Sequence, residues 1–182
     1  MALYGGRNRR LRQSERLMGE DAAVFQLSPD PADARRRAEA AFETWRRQHG
    51  RQLPRTARID HVGSTAIEGC ETRGDLDIAV RVPEDAFGAA RDYLDRTHAA
   101  DTQAARRKGY AAFTAPGYAL EVGVQLVVMG DEQDRLLDFR DALTSDRALL
   151  ARYNALKRAY RGREMARYRE AKAAFIRDIL DT

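Results

Sequence analysis

The chain is nearly without cysteine. Cys70 stands alone among 182 residues, so an intrachain disulfide is excluded and a reducing cytoplasm is the expected setting. Histidine is scarce too: His49, His61 and His98 are scattered and show no zinc-ligand spacing. No apolar run approaches the roughly 20 residues that a membrane helix needs. The first residues lack the apolar core of a signal peptide, so none is expected. Repeats and low-complexity tracts are missing as well, which sets aside solenoids and compositionally biased tails.

Hydrophobic residues make up 43% of the chain and charged residues 33%, with a net charge of +4. That balance, at this length, suits one domain with a real core, or one domain with a small helical appendage. The mild positive surplus fits a polyanionic ligand, nucleotide or nucleic acid, although ordinary surfaces share it.

Three regions are expected. Residues 1–19 form a basic arm with Arg7, Arg9, Arg10, Arg12 and Arg16, which reads as a frayed terminus or, second, as a nucleic-acid-binding arm. Residues 20–130 form an α/β core, opening with an apolar segment over 20–28. Residues 131–182 form a C-terminal helical extension packed on it. In the core, Asp30-Pro31-Ala32-Asp33 offers a cap, a proline at the first helical position and an acid in the first turn. Ala34, Ala38, Phe42 and Trp45 follow at helical spacing until Gly50.

Strands are expected over 57–62, 75–82, 109–115 and 118–129, and a helix over 84–97. Ala115-Pro116-Gly117-Tyr118 has the sequence of a type II turn, joining the last two strands as a hairpin. In the second of them, Leu120, Val122, Val124, Leu126 and Val128 alternate with Glu121, Gly123 and Gln125, which puts the acid on the polar face. The extension reads as helices over 132–143, from a cap at Thr144-Ser145-Asp146, and after Gly162. Tyr153 and Tyr168 fall on apolar stripes, so they read as core first and as base-stacking platforms second.

The chemistry gathers between Asp60 and Val82. A strand leads into the turn Gly63-Ser64, and ten residues, Thr65 to Gly74, separate Ser64 from Asp75. Asp75 and Asp77 then sit two apart in an apolar run, so a strand presents both carboxylates on one face. Their repulsion is relieved by a divalent cation, and hard oxygen ligands suit magnesium or manganese. Backbone N–H groups and a hydroxyl at the Gly-Ser turn suit a phosphate. The plain alternative is a solvated strand face; the turn at this spacing favours a metal–nucleotide site. His61 reads as a hydrogen-bonded structural residue, and Cys70 has no matched His and acid to make it a nucleophile.

The Gly63-Ser64 turn followed by Asp75-Leu76-Asp77 resembles the signature of the nucleotidyltransferase superfamily, the DNA polymerase β-like proteins. The stretch His61-Val62-Gly63-Ser64-Thr65-Ala66 is similar to the hallmark of one branch, the GrpB family. So is the tail: Phe139-Arg140-Asp141, Tyr153-Asn154-Ala155-Leu156-Lys157, Tyr168 to Lys172, and Phe175-Ile176. The chain departs from the family pattern at Glu68, commonly proline, and in keeping both acids of the pair.

The resemblance implies a mixed, mostly antiparallel sheet flanked by helices, with the cleft between its polar face and the helical extension. It implies a metal-dependent enzyme moving a nucleoside monophosphate from a nucleoside triphosphate, ATP foremost, to a small-molecule acceptor. RNA stands as a less favoured partner and a membrane as none. Asp75 and Asp77 would hold two metal ions, one riding on the triphosphate and one activating the acceptor hydroxyl, with Glu121 as third ligand or base. Ser64 and the Gly63–Thr65 backbone would hold the terminal phosphates. Arg73, Arg140, Lys157 and Lys172 would neutralise the triphosphate, Lys157 foremost. Glu121 paired with a cationic side chain is the competing reading, and a non-catalytic nucleotide- or RNA-binding module is the competing function.

Overall fold

The computed structural model describes residues 23–101 and 107–181; the Arg-rich stretch 1–19 lies outside them. Helix α1 spans Pro31–His49. The Asp30 carboxylate accepts the Asp33 N–H at 2.9 Å, a cap worth about 1 kcal/mol. At the other end the Gly50 N–H bonds the Arg46 carbonyl at 2.9 Å. Ala34, Ala38, Phe42 and Trp45 form its buried face, as the spacing predicts.

The sheet is built from β1 (Arg58–Val62), β2 (Leu76–Val82), β3 (Ala99–Ala100), β4 (Tyr110–Thr114) and β5 (Val122–Val128), with helix α2 (Glu84–Thr97) after β2. Its order is β1-β2-β5-β4-β3. Only β2 and β5 run parallel; the other pairs are antiparallel. This is the mixed, mostly antiparallel α/β sheet that the sequence implies. Leu76, Ile78, Val80 and Val82 share a buried cluster with Val122, Val124, Leu126 and with Trp45 of α1 and Leu94 of α2. Burying each large aliphatic side chain contributes about 1.5–3 kcal/mol. By the two-residue period, Asp77, Ala79, Arg81, Gly123 and Gln125 occupy the opposite face.

Three helices follow: α3 (Leu136–Ser145), α4 (Arg147–Tyr160) and α5 (Met165–Leu180). Asp146 caps α4, accepting the N–H groups of Ala148 and Leu149 at 2.8 and 3.0 Å. Leu143, Tyr153, Phe139 and Phe175 pack on Ile67 and Cys70 of the loop before β2. The apolar segment before α1 is tied to the α4–α5 turn: Phe25 stacks on Tyr168 with ring centroids 3.7 Å apart, and its N–H bonds the Arg163 carbonyl at 2.7 Å.

Several boundaries differ from expectation. β2 opens at Leu76 rather than 75, which leaves Asp75 just before the strand that carries Asp77. β5 opens at Val122 rather than 118, because residues 118–121 stay in the connection beyond the turn; Gly117 has the positive φ of 89° that the turn requires. α3 opens at Leu136 rather than 132. The preceding residues are held in a loop by Asp134, which accepts the Gly130 N–H at 3.0 Å and a two-pronged bond from Arg81 at 2.6 and 2.7 Å.

Candidate functional site

Asp77 sits on β2 between two glycines. Val62 of β1 is its antiparallel partner, and Gly123 of β5 its parallel one. Gly63, just past β1, has φ 73° and ψ −170°, a region essentially reserved for glycine. A β-carbon there would lie 2.1 Å from Asp77 Oδ2; one on Gly123 would lie 3.4 Å from Oδ1. Both neighbours lack the atom that would displace the carboxylate. Burial, then the charge of Asp75, push the Asp77 pKa up to about 6, against the pull of Lys172, Arg73 and Lys157.

The carboxylate faces a pocket of about 140 Å³ between the sheet and the C-terminal helices, lined among others by Ser64, Gln125, Phe139, Tyr153, Lys172 and Ile176. A larger open depression, about 530 Å³, lies at the far end of β5 around Gly109, Val128 and Asp131. It is remote from the paired acids.

The turn after β1 is latched to the acid pair. Thr65 Oγ1 donates to the Asp75 carbonyl at 2.9 Å and stands 3.0 Å from His61 Nε2. Burial, followed by the charges of Arg35 and Arg140, lowers the His61 pKa to about 4. The ring is therefore neutral near pH 7, with Nε2–H donating to the hydroxyl. Ser64 Oγ donates to Thr72 Oγ1 at 3.0 Å, and the Gly74 N–H donates to the same oxygen.

Arg73 lies between the other acids. Its Nε is 3.7 Å from Asp75 Oδ2, and its Nη2 donates to Glu121 Oε2 at 2.5 Å. The Glu121 side chain is 78% exposed, and its residue precedes β5. It is thus paired with a cationic side chain, and the guanidinium stands between it and Asp75.

The remaining cations divide. Lys172 of α5 reaches the pocket wall. Burial works to lower its pKa, but Tyr168, Asp77 and Asp75 outweigh that and raise it. Lys157 is only 2% exposed. Its ammonium donates to Cys70 Sγ at 3.3 Å and to the Glu71 carbonyl, and lies 4.3 Å from the Tyr153 ring centroid. It braces the loop before β2 and is not among the groups lining the pocket. Arg140 donates to the His61 carbonyl at 3.1 Å and to Asp141 Oδ1 at 2.8 Å, fastening α3 to β1.

Magnesium is commonly bound through one or two carboxylates plus the phosphates of its substrate. Asp75 and Asp77, mutually repelling, fit that part. Among the described residues no group of three His, Cys, Asp or Glu side chains is placed to hold a metal ion. Glu121 is accordingly not assembled with the pair as a third ligand.

Several pocket residues escaped the sequence reading. Gln125 was legible as polar-face, and its Oε1 accepts the Tyr110 hydroxyl at 3.1 Å. Gln133 and Arg135 come from the loop before α3, Arg135 as the residue just ahead of the helix, where no periodicity marks them. Arg135 also bonds the Leu180 carbonyl and Asp181 at the end of α5.

A UPF0157 protein of Vibrio cholerae is 27% identical over 170 residues, 93% of this chain and 88% of that one. The crystal structure of GrpB from Enterococcus faecalis superposes with a TM-score of 0.56 at 19% identity, over 78% of this chain and 89% of that one; the likeness is one of fold. Cid1 in complex with a UTP analogue gives a TM-score of 0.46 at 14% identity, over 83% of this chain and 44% of that one. The GrpB protein family model matches residues 32–182, nearly the whole span from the first turn of α1 onward, and the chain belongs to the GrpB family.

Proposed function

We propose that the protein is a metal-dependent nucleotidyltransferase, moving a nucleoside monophosphate from a nucleoside triphosphate to a small acceptor. The observation that carries this is the Asp77 carboxylate, seated between two glycines beside Asp75 and facing a pocket with Lys172 on its wall. A carboxylate held in that state is primed for a cation. Asp75 and Asp77 would hold magnesium or manganese with the triphosphate. The ion would shield the phosphates and stabilise charge moving onto the leaving pyrophosphate.

The chain's own residues supply the rest. Thr65, fixed by His61, keeps the Asp75 backbone and the Gly63-Ser64 turn in register. Ser64 and the Gly63–Thr65 backbone are the candidates to take the terminal phosphate. Lys172 offers a positive charge within the enclosure, where a charge acts more strongly than in water. Arg73, ion-paired with Asp75 at 3.7 Å, is a further cation beside the acid pair. Lys157 and Arg140 serve by holding the walls in place.

The Glu121–Arg73 pair favours a second reading, nucleotide binding without transfer, since it leaves Asp75 and Asp77 without a third acid. The two separate on one experiment. Each labelled nucleoside triphosphate is incubated with the protein, magnesium or manganese, and a small-molecule extract. Release of pyrophosphate with a labelled product supports transfer; saturable binding without pyrophosphate supports the second reading. No binding of any triphosphate overturns both.

A further inference from the structure

Arg73 is placed unusually for a phosphate-binding cation. Its guanidinium is committed on both sides to acids, Asp75 at 3.7 Å and Glu121 at 2.5 Å, and its Nη1 also rests 3.5 Å from Met165 Sδ. The side chain is 28% exposed, as is Asp75 at 29%, so the Asp75 contact is only partly screened by water. The backbone beneath is fixed. Thr72 is buried, accepts the Ser28 N–H through its carbonyl at 2.7 Å, and accepts Ser64 and Gly74 through its hydroxyl. Any relocation of the charge is therefore a rotation of the Arg73 side chain. Lys172 and Lys157 are also near enough to act on Asp77, but among the described residues Arg73 is the cation ion-paired with Asp75 and Glu121.

Resting on the reading above, we infer that Arg73 is a tethered counter-cation occupying the Asp75–Glu121 side of the site, so that a divalent ion binds well only when a nucleotide's phosphates draw the guanidinium away. Bare metal faces a fixed positive charge a few ångströms off and two acids already compensated. Metal–triphosphate brings its own anion, to which a planar guanidinium binds in two-pronged fashion. Releasing Arg73 also frees Glu121 to turn toward Asp75. The device imposes an order: metal enters with nucleotide rather than before it.

The test measures manganese binding by electron paramagnetic resonance of the free ion, with and without a non-hydrolysable ATP analogue. Arg73→Met keeps the length and the packing on Met165 while removing the charge; Arg73→Gln gives the same reading should the first variant fail to fold, judged by circular dichroism. Without nucleotide, the neutral variant is expected to bind manganese at least about tenfold tighter than the wild type. Adding Glu121→Gln to it should remove part of that gain. Manganese–analogue binding by the wild type, with no gain in the neutral variant, overturns the role of Arg73 alone. Absence of manganese binding in every protein, with or without the analogue, overturns the site itself.

Discussion

The carboxylate of Asp77 occupies the space into which a side chain at Gly63 would grow: a β-carbon there would stand 2.1 Å from Oδ2 and 2.9 Å from the Asp77 β-carbon. The acid and the turn are thus one packed unit, although they belong to different strands.

Gly63→Ala should be costly on two counts. The backbone conformation opposes any L side chain by roughly 1–3 kcal/mol, and the added methyl must push Asp77 aside. We expect a loss of about 2–4 kcal/mol in urea unfolding together with loss of metal-dependent nucleotide binding. Gly123→Ala, with its nearest contact at 3.4 Å, should fold nearly as well and weaken the ligand alone. Equal effects of the two substitutions would count against the packing argument.

Asp77→Asn should separate stability from binding. Burial and the Asp75 charge hold the folded pKa of Asp77 up at about 6, above the ordinary aspartate range. A raised carboxylate contributes stability that is full below about pH 4 and lost as pH rises through about 6. The asparagine variant should therefore gain about 1–2 kcal/mol over the wild type at pH 7.5, with no gain near pH 4. It should no longer bind nucleotide in a metal-dependent way. Unchanged binding in titration calorimetry would overturn the assignment of the acid pair.

His61 and His98 predict an opposite slope. Burial first, then Arg35 and Arg140 at His61 and His49 at His98, lower both from 6.5 to about 4. Their folded pKa values are depressed, so the stability they contribute is full above about pH 6.5 and is lost as pH falls toward 4. Each should account for about 2–3 kcal/mol over that window. Trp45 Nε1 donates to His98 Nε2 at 2.9 Å; His98→Gln keeps an acceptor there and should flatten the acid limb measured by urea unfolding at several pH values.

Asp134→Asn should loosen a pocket wall. The Asp134 side chain is 4% exposed and its partner Arg81 19%. Burial works to raise its pKa, but the bonds from Arg81 and the Gly130 N–H prevail and lower it. We expect a loss of about 2–3 kcal/mol at pH 7, shrinking once pH falls below the ordinary carboxylate range. Because this residue closes the loop carrying Gln133 and Arg135, nucleotide affinity should fall with it. An unchanged melting temperature would show that the pair contributes nothing.

Local signals reported the framework well. The Asp30-Pro31 start, the alternation from Val122 onward and the Asp146 cap all appear where the residue types demand them. Site geometry was less legible. Helical spacing shows which positions of α4 turn inward, but not that a lysine fills one of them; Lys157 thus faces Cys70 and the Glu71 carbonyl. Glu121 continues the alternation of β5 and its carbonyl accepts the Leu76 N–H at 2.9 Å, yet its side chain is exposed and Arg73 takes it. The approach of Gly63 and Gly123 to one carboxylate depends on strand pairing across distant segments, which no short window contains.

The enclosure around Asp77 is closed by Lys172 and Ile176 of α5, a helix whose own residues are mostly half-buried or exposed. Sheet and closing wall therefore differ in how firmly they are held. In amide exchange, α5 should trade its hydrogens well before β2 and β5 do, through an excursion that leaves the strands intact. Access to the acid would then be governed by how often that last helix lifts, a rate that can be tuned from the outer surface without touching a single group inside.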